Sequence, residues 1–259
     1  MLLEIVRKNV KLQYRNSVLG MFWTFLQPLM TTLVLVLVFG NIFGRSNDGV
    51  VCYPLYLLCG RLLYEFYSQA TKRAMRSIRN SASVIKKVYV PKYIYPLSNV
   101  LSTFVTFVIS LSVLVVMMAF FMIFQADKYP DLQITPYVLL AFVPVLILLV
   151  LSLGVGLIIS TLNVFFKDME YLYEVFCMLL FYMTPIFYTV KSLGTVKWVQ
   201  YVLMANPLYS IVQMFRSCVL YGQMWNWNWF YYSVGFSGVM LLLGVWVFYK
   251  KQDKFILHL

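Results

Sequence analysis

Two ionisable residues, Arg61 and Glu65, lie four apart inside an otherwise apolar run. On a helix that spacing puts them on one face, within reach of each other. A charge inside a membrane span is costly and is a functional candidate by default. The competing reading is a structural ion pair, or an arginine close enough to the surface to extend its head into water. Other reactive groups are scarce. Cys52, Cys59, Cys177 and Cys218 are scattered without a CxxC, and His258 is the only histidine. A zinc site needs several such ligands together, so no metal is expected, and the cysteines read as small apolar packing residues. There is no GxxxxGK[ST] loop, and Asp and Glu are too few for a two-metal phosphate site. The chain is therefore expected to hydrolyse no ATP itself. Uphill movement would need a partner or an ion gradient.

The elements that must position these residues follow from composition. Of 259 residues, 62% are hydrophobic and 12% charged, and the mean hydropathy is +0.80. A soluble domain is nearer half apolar and a quarter charged. A soluble enzyme, a disordered chain and a secreted disulfide scaffold are excluded, which leaves an all-α membrane protein. With about 20 apolar residues per crossing, the chain has room for about six spans. The apolar runs place them near 18–39, 51–70, 97–124, 137–165, 171–188 and 230–249. Pro28 should kink the first. That run is too long for a signal-peptide core and has no A-x-A site after it, so it is expected to stay in the mature protein.

The net charge of +12 sits in residues flanking the apolar runs, where it sets topology and meets lipid headgroups. No basic domain exists to bind nucleic acid. Fifteen basic residues fall in the amino end, the second and fourth connections and the tail, against five, Arg216 among them, on the other side. Both termini are thus expected in the cytoplasm. Residues 1–17 read as an interfacial helix: Arg7, Lys8, Lys11 and Arg15 share an arc of roughly 100°, with Leu3, Val6, Val10 and Tyr14 on another. Ile5 and Leu12 break that pattern.

Three connections carry further signals. In the most basic one, 72–92, Ser81 or Ser83 can cap a short helix through Val84, Ile85, Lys86 and Lys87, and Val90-Pro91 ends it. This is a plausible handle for a soluble partner. Lys167, Asp168, Glu170 and Glu174 form a short cluster that is either solvated or a contact surface. Residues 190–226 hold two apolar runs too short to cross, separated by Asn206-Pro207, a turn signal. They predict a re-entrant helical hairpin between the fifth and sixth spans, its backbone shielded by protein or water.

The run Tyr14-Arg15-Asn16-Ser17-Val18-Leu19-Gly20, then Trp23 and Gln27-Pro28, resembles the start of bacterial ABC-2 type permeases for polysaccharide and polyol phosphate export. Val84-Ile85-Lys86-Lys87 before Val90-Pro91 resembles the family's coupling segment. Asn163-Val164-Phe165-Phe166-Lys167-Asp168 resembles its aromatic-Arg-Asp motif, with Lys167 where Arg is usual. Thr184-Pro185-Ile186-Phe187-Tyr188, Asn206-Pro207 and Arg216 match the last third. The resemblance covers essentially the whole chain, residues 1–259, as a single transmembrane domain. It implies a homodimer of six-span subunits with two ATP-binding cassette subunits beneath, which would bind ATP and Mg. The amino-terminal helix, with Arg7, Lys8, Lys11 and Arg15, and the segment Val84–Lys87 would touch the ATPase. The cargo implied is a lipid-linked polysaccharide such as O-antigen, capsule or teichoic acid, moved across the bacterial cytoplasmic membrane. The first and fifth spans would line the path, and their polar and aromatic residues Trp23, Gln27, Tyr173, Tyr182 and Tyr188 could hold sugars by stacking and hydrogen bonds. Each aromatic can equally be a packing or interface residue.

The alternative within transporters is an ABC-2 permease for a small amphiphile or drug. An enzyme acting on lipid-linked sugars is disfavoured by the scarcity of intramembrane acids and histidine. An ion-coupled transporter should show several intramembrane carboxylates, and only Glu65 is available.

Overall fold

The structure is a computed structural model, and it describes residues 2–15, 19–38, 50–87, 90–127, 129–130, 132–189 and 197–255. His258, Arg45, Asn16 to Val18 and the first part of the 190–226 segment lie outside the described residues. All regular structure among the described residues is helical. The order is α1 (Leu2–Tyr14), α2 (Trp23–Leu35), α3 (Tyr53–Asn80), α4 (Ala82–Ile85), α5 (Ile94–Phe124), α6 (Phe142–Phe165), α7 (Met169–Met183), α8 (Lys197–Met204), α9 (Pro207–Val219) and α10 (Trp227–Lys251).

Among the described residues, four helical stretches are long and apolar enough to cross a membrane: Gly20–Val38, Ile94–Phe124, Pro136–Phe165 and Trp227–Lys254. They coincide with the first, third, fourth and sixth expected spans. The other two expected spans differ in instructive ways. The second does not end at 70: α3 runs on to Asn80, about 42 Å at 1.5 Å per residue. It carries Arg61, Glu65, Lys72, Arg73, Arg76 and Arg79, so it is too polar to face lipid all round. It packs instead against α5 and α6, with α2, α7 and α9 on its remaining sides. Consequently the first turns of the 72–92 connection are helix, not loop. The fifth expected span stops early. Thr184 is extended (φ −95°, ψ 122°) because Pro185 follows it, and the residue before proline is pushed out of the helical region. That leaves α7 with 15 residues, and 184–188 continue as irregular chain.

Helix packing follows side-chain size. α10 lies along α6 where two glycines meet: a Cβ on Gly244 would stand 2.5 Å from the Gly154 carbonyl oxygen, and one on Gly154 would stand 2.5 Å from Leu241 N. Small residues let apolar helices approach when no hydrophobic driving force separates them from lipid. The helical stretch α2 runs through Pro28 without interruption. Proline has no N–H for the Thr24 carbonyl four residues back, and Ser110 of α5 donates its hydroxyl to that carbonyl at 3.2 Å. At the other end of the molecule, Ile78, Ile85, Tyr95, Leu157, Val164, Phe248 and Phe255 form a separate buried cluster. Lys92 Nζ donates to the Gln252 carbonyl there at 2.7 Å.

Candidate functional site

The Arg61–Glu65 pair lines a cleft along α3. Arg61 Nε lies 3.6 Å from Glu65 Oε2, with the side chains 19% and 23% exposed. Gln69, one turn further, donates Nε2 to Glu65 Oε1 at 3.0 Å. On one side the cleft opens between α2, α3 and α5, about 90 Å³ lined by Trp23, Thr24, Gln27, Glu65, Gln69 and Thr103 among others. On the other it opens between α3 and the end of α7, about 470 Å³ lined by Arg61, Tyr64, Glu65, Ser68, Gln69 and Tyr182 among others. Glu65 and Gln69 belong to both walls.

The sequence-derived path residues divide accordingly. Trp23 and Gln27 line the first opening and are exposed. Tyr182 lines the second and is exposed. Tyr188 lies in neither. It is half-buried, and its hydroxyl donates to the Tyr182 carbonyl at 2.8 Å. Tyr173 is buried and donates to Thr71 Oγ1 at 2.7 Å, so within one chain it fastens α7 to α3 and lines neither opening.

Next to the cleft lies a residue the charge tally placed outside the bilayer. Arg216, on α9, is the largest fully buried side chain in the described structure. Its Nη1 donates to the Pro185 carbonyl at 2.8 Å, and its Nη2 donates to the carbonyls of Tyr56 at 2.9 Å and Ile186 at 3.3 Å. Its Cζ sits 3.4 Å from the centre of the Tyr56 ring, and Gly60 leaves the space: a Cβ there would collide with Nη2. The cause is the irregular stretch 184–188. Outside a helix the carbonyls of 185–188 lose the helical N–H donors, and buried backbone groups need partners. Arg216 serves two. Tyr53 donates to the Phe187 carbonyl at 2.9 Å and Tyr56 to that of Tyr188 at 3.2 Å. The turn at Asn206 is tied to the same place: its Nδ2 donates to Thr184 Oγ1 at 3.1 Å, and its Oδ1 caps α9 by accepting from Leu208 N at 3.0 Å. The expected break between α8 and α9 thus stands at Asn206-Pro207.

At the basic end, the acidic cluster splits. Glu170 accepts from Arg76 Nε at 3.0 Å and Arg79 Nη1 at 3.4 Å, and Glu174 accepts from Arg76 Nη2 at 2.8 Å. Lys167 and Asp168 stay exposed. The buried Asn163 donates to the Met75 carbonyl at 3.0 Å and to Glu170 Oε1 at 3.3 Å, so this motif locks α3, α6 and α7 through its first residue rather than its charged ones. Ser81 occupies the N-cap of α4, yet its hydroxyl makes no capping bond. The helix is only four residues long, and it is held by Ile85, which is buried in the cluster under it. Ile85 itself is thus buried within this chain. Val84, Lys86 and Lys87 are exposed. On α1, Val6 is buried while Arg7, Lys8 and Lys11 are exposed, as is Arg15 just after it. α1 packs on α5, and Arg73 Nη1 donates to Gln13 Oε1 at 2.8 Å, tying it to α3.

The family described as ABC-2 type transporter matches residues 2–220. The chain belongs to that family. This ABC-2 type chain is 28% identical over 258 residues to the O-antigen export system permease protein RfbA of Klebsiella pneumoniae, covering 98% of this chain and 93% of the relative. It is 28% identical to the RfbA permease of Myxococcus xanthus over 84% of this chain and 79% of the relative. It is 23% identical to the polysialic acid transport protein KpsM of Escherichia coli, over 96% and 92%. The family match takes in the cleft, the Arg216 knot and the Glu170 lock.

Proposed function

We propose that this chain is the transmembrane subunit of an ATP-driven exporter that carries a lipid-linked polysaccharide, of O-antigen, capsule or teichoic acid type, across a bacterial cytoplasmic membrane for envelope assembly. The observation that carries this reading is the near full-length similarity to the O-antigen export permeases. It favours a glycan cargo over a drug or small amphiphile. The whole chain acts as one domain that moves cargo without chemistry of its own. ATP and Mg belong to two ATP-binding cassette subunits beneath a homodimer of this chain.

In this reading α3 and the α7–184–188 unit complete six crossings with the four apolar stretches, since a buried polar helix and an irregular segment are tolerated where protein shields them. Both termini face the cytoplasm. α1 lies in the interface with Arg7, Lys8, Lys11 and Arg15 towards headgroups and ATPase. Val84, Lys86 and Lys87 dock on the ATPase, while Ile85 anchors them. α8 and α9 dip in from the outer face, pinned by Arg216. A hydrated glycan needs a continuous protein-lined path, and two copies on a twofold axis provide one where a single packed bundle has little volume. Trp23, Gln27 and Tyr182 face that path, with Tyr188 and Tyr173 supporting its wall.

Deleting the gene should strip long-chain polysaccharide from the cell surface and leave lipid-linked glycan accumulating inside. Complementation should restore export. Unchanged surface polysaccharide in the deletion strain would refute the function.

A further inference from the structure

We propose that Arg61, Glu65 and Gln69 form a binding wall for an uncharged, hydroxyl-rich stretch of glycan. This deepens the export function above and rests on it. The three residues are spaced i, i+4, i+8 on α3, so their planar hydrogen-bonding groups rise in steps of about 6 Å. That is close to the length of a sugar unit, and the two openings of the cleft meet at Glu65 and Gln69.

Two features distinguish this wall from a structural ion pair. A structural pair ties two elements together, whereas Arg61 and Glu65 belong to the same helix and, among the described residues, fasten no second element. Their contact is also incomplete. Among the described residues, Glu65 Oε2 is buried and accepts no hydrogen bond, with Arg61 Nε 3.6 Å away. A buried carboxylate oxygen lacking a donor is costly. A sugar hydroxyl entering the cleft supplies that donor, and Gln69 and the Arg61 guanidinium offer matching groups on either side. Trp23 lines the first opening and Tyr182 the second, both exposed, and each ring gives a sugar an apolar face to slide across.

The same geometry sets the preferred cargo. The charges of Arg61 and Glu65 cancel locally, so the wall is strongly polar without net charge. An anionic segment would meet the Glu65 carboxylate with no surplus cation to offset it, and like charges close together are repulsive. The wall therefore favours neutral sugars over phosphate- or carboxylate-bearing ones.

The test uses the permease with its ATP-binding subunit. In cells, surface polysaccharide is measured per inserted dimer for the parent, for Gln69→Leu and for the double variant Arg61→Met, Glu65→Met. The double variant leaves no stranded charge, and export should fall about tenfold, with Gln69→Leu falling about fivefold, the scale of one or two lost hydrogen bonds. In nanodiscs, the Gln27→Cys variant is labelled by a maleimide with maltoheptaose or an oligosialic acid present. Maltoheptaose should slow labelling in the parent but not in the double variant, and the oligosialic acid should slow neither. If the double variant fails to insert, Gln69→Leu alone decides. Parental export per dimer in the inserted variants, or equal protection by both sugars, would overturn the wall. A deletion strain that keeps its surface polysaccharide would instead remove the export function, which the nanodisc protection does not depend on.

Discussion

Replacing Arg216 by methionine should destabilise the folded permease by about 3–4 kcal/mol, the net of two opposed effects. The change strands the carbonyl of Pro185, which accepts at 2.8 Å, and removes the bonds to Ile186 at 3.3 Å and to Tyr56, a carbonyl already inside α3, at 2.9 Å. A hydrogen bond to a charged group contributes about 1.5–3 kcal/mol, and a desolvated guanidinium over a tyrosine ring about 2 kcal/mol more. Against this, burying the charge costs several kcal/mol that methionine avoids. Lysine is no substitute, because one ammonium cannot reach carbonyls on two elements as the fork does. The measurement is unfolding in mild detergent titrated with SDS, followed by tryptophan fluorescence. Gly60 makes the test sharper. A Cβ at position 60 would collide with Arg216 Nη2, so Gly60→Ala should cost about 2 kcal/mol in the parent and much less once Arg216→Met has removed the obstacle, a coupling that neighbouring sites show. An Arg216→Met protein that unfolds at the parental SDS fraction, or a Gly60→Ala cost that is the same in both backgrounds, would refute the account of this knot.

The other expectations concern the packing seam and the partner. Gly244→Leu should abolish recovery of folded protein, because any side chain there enters the Gly154 backbone. A monodisperse Gly244→Leu sample on size exclusion would contradict the crossing. Charge reversal at both exposed lysines, Lys86→Glu with Lys87→Glu, should leave the permease inserted while export and ATPase stimulation fall together. Normal values of both would take α4 out of the coupling path.

Hydropathy and charge, read along the chain, determined a great deal. An apolar run of sufficient length can only cross a bilayer as a helix, so α5, α6, α10 and the stretch around α2 were legible to within a few residues. Asn206-Pro207 was legible as a helix break for an equally local reason, since proline dictates the backbone around it. Arg61 and Glu65 were legible because they interrupt an apolar run four residues apart.

Tertiary structure decided what those signals could not carry. Arg216 sits on a short amphipathic helix, and by position it looks like one more basic residue outside the membrane. Its burial follows from carbonyls at Tyr56, Pro185 and Ile186, which are distant in sequence. The clue available in advance was Pro185 itself, which ends α7 inside the fifth apolar run and obliges some donor elsewhere to serve the exposed backbone. Likewise Glu170, Asn163 and Tyr173 take structural roles only because α3 continues past 70 and brings Arg76, Met75 and Thr71 beside them. Ile85 turns inward because Phe255 and Phe248 return from the far end of the chain to cover it. Hydropathy assigns each segment a solvent, and local dihedral rules assign it a backbone. Which buried polar group meets which donor depends on how the helices cross, and that is a property of the packed bundle alone.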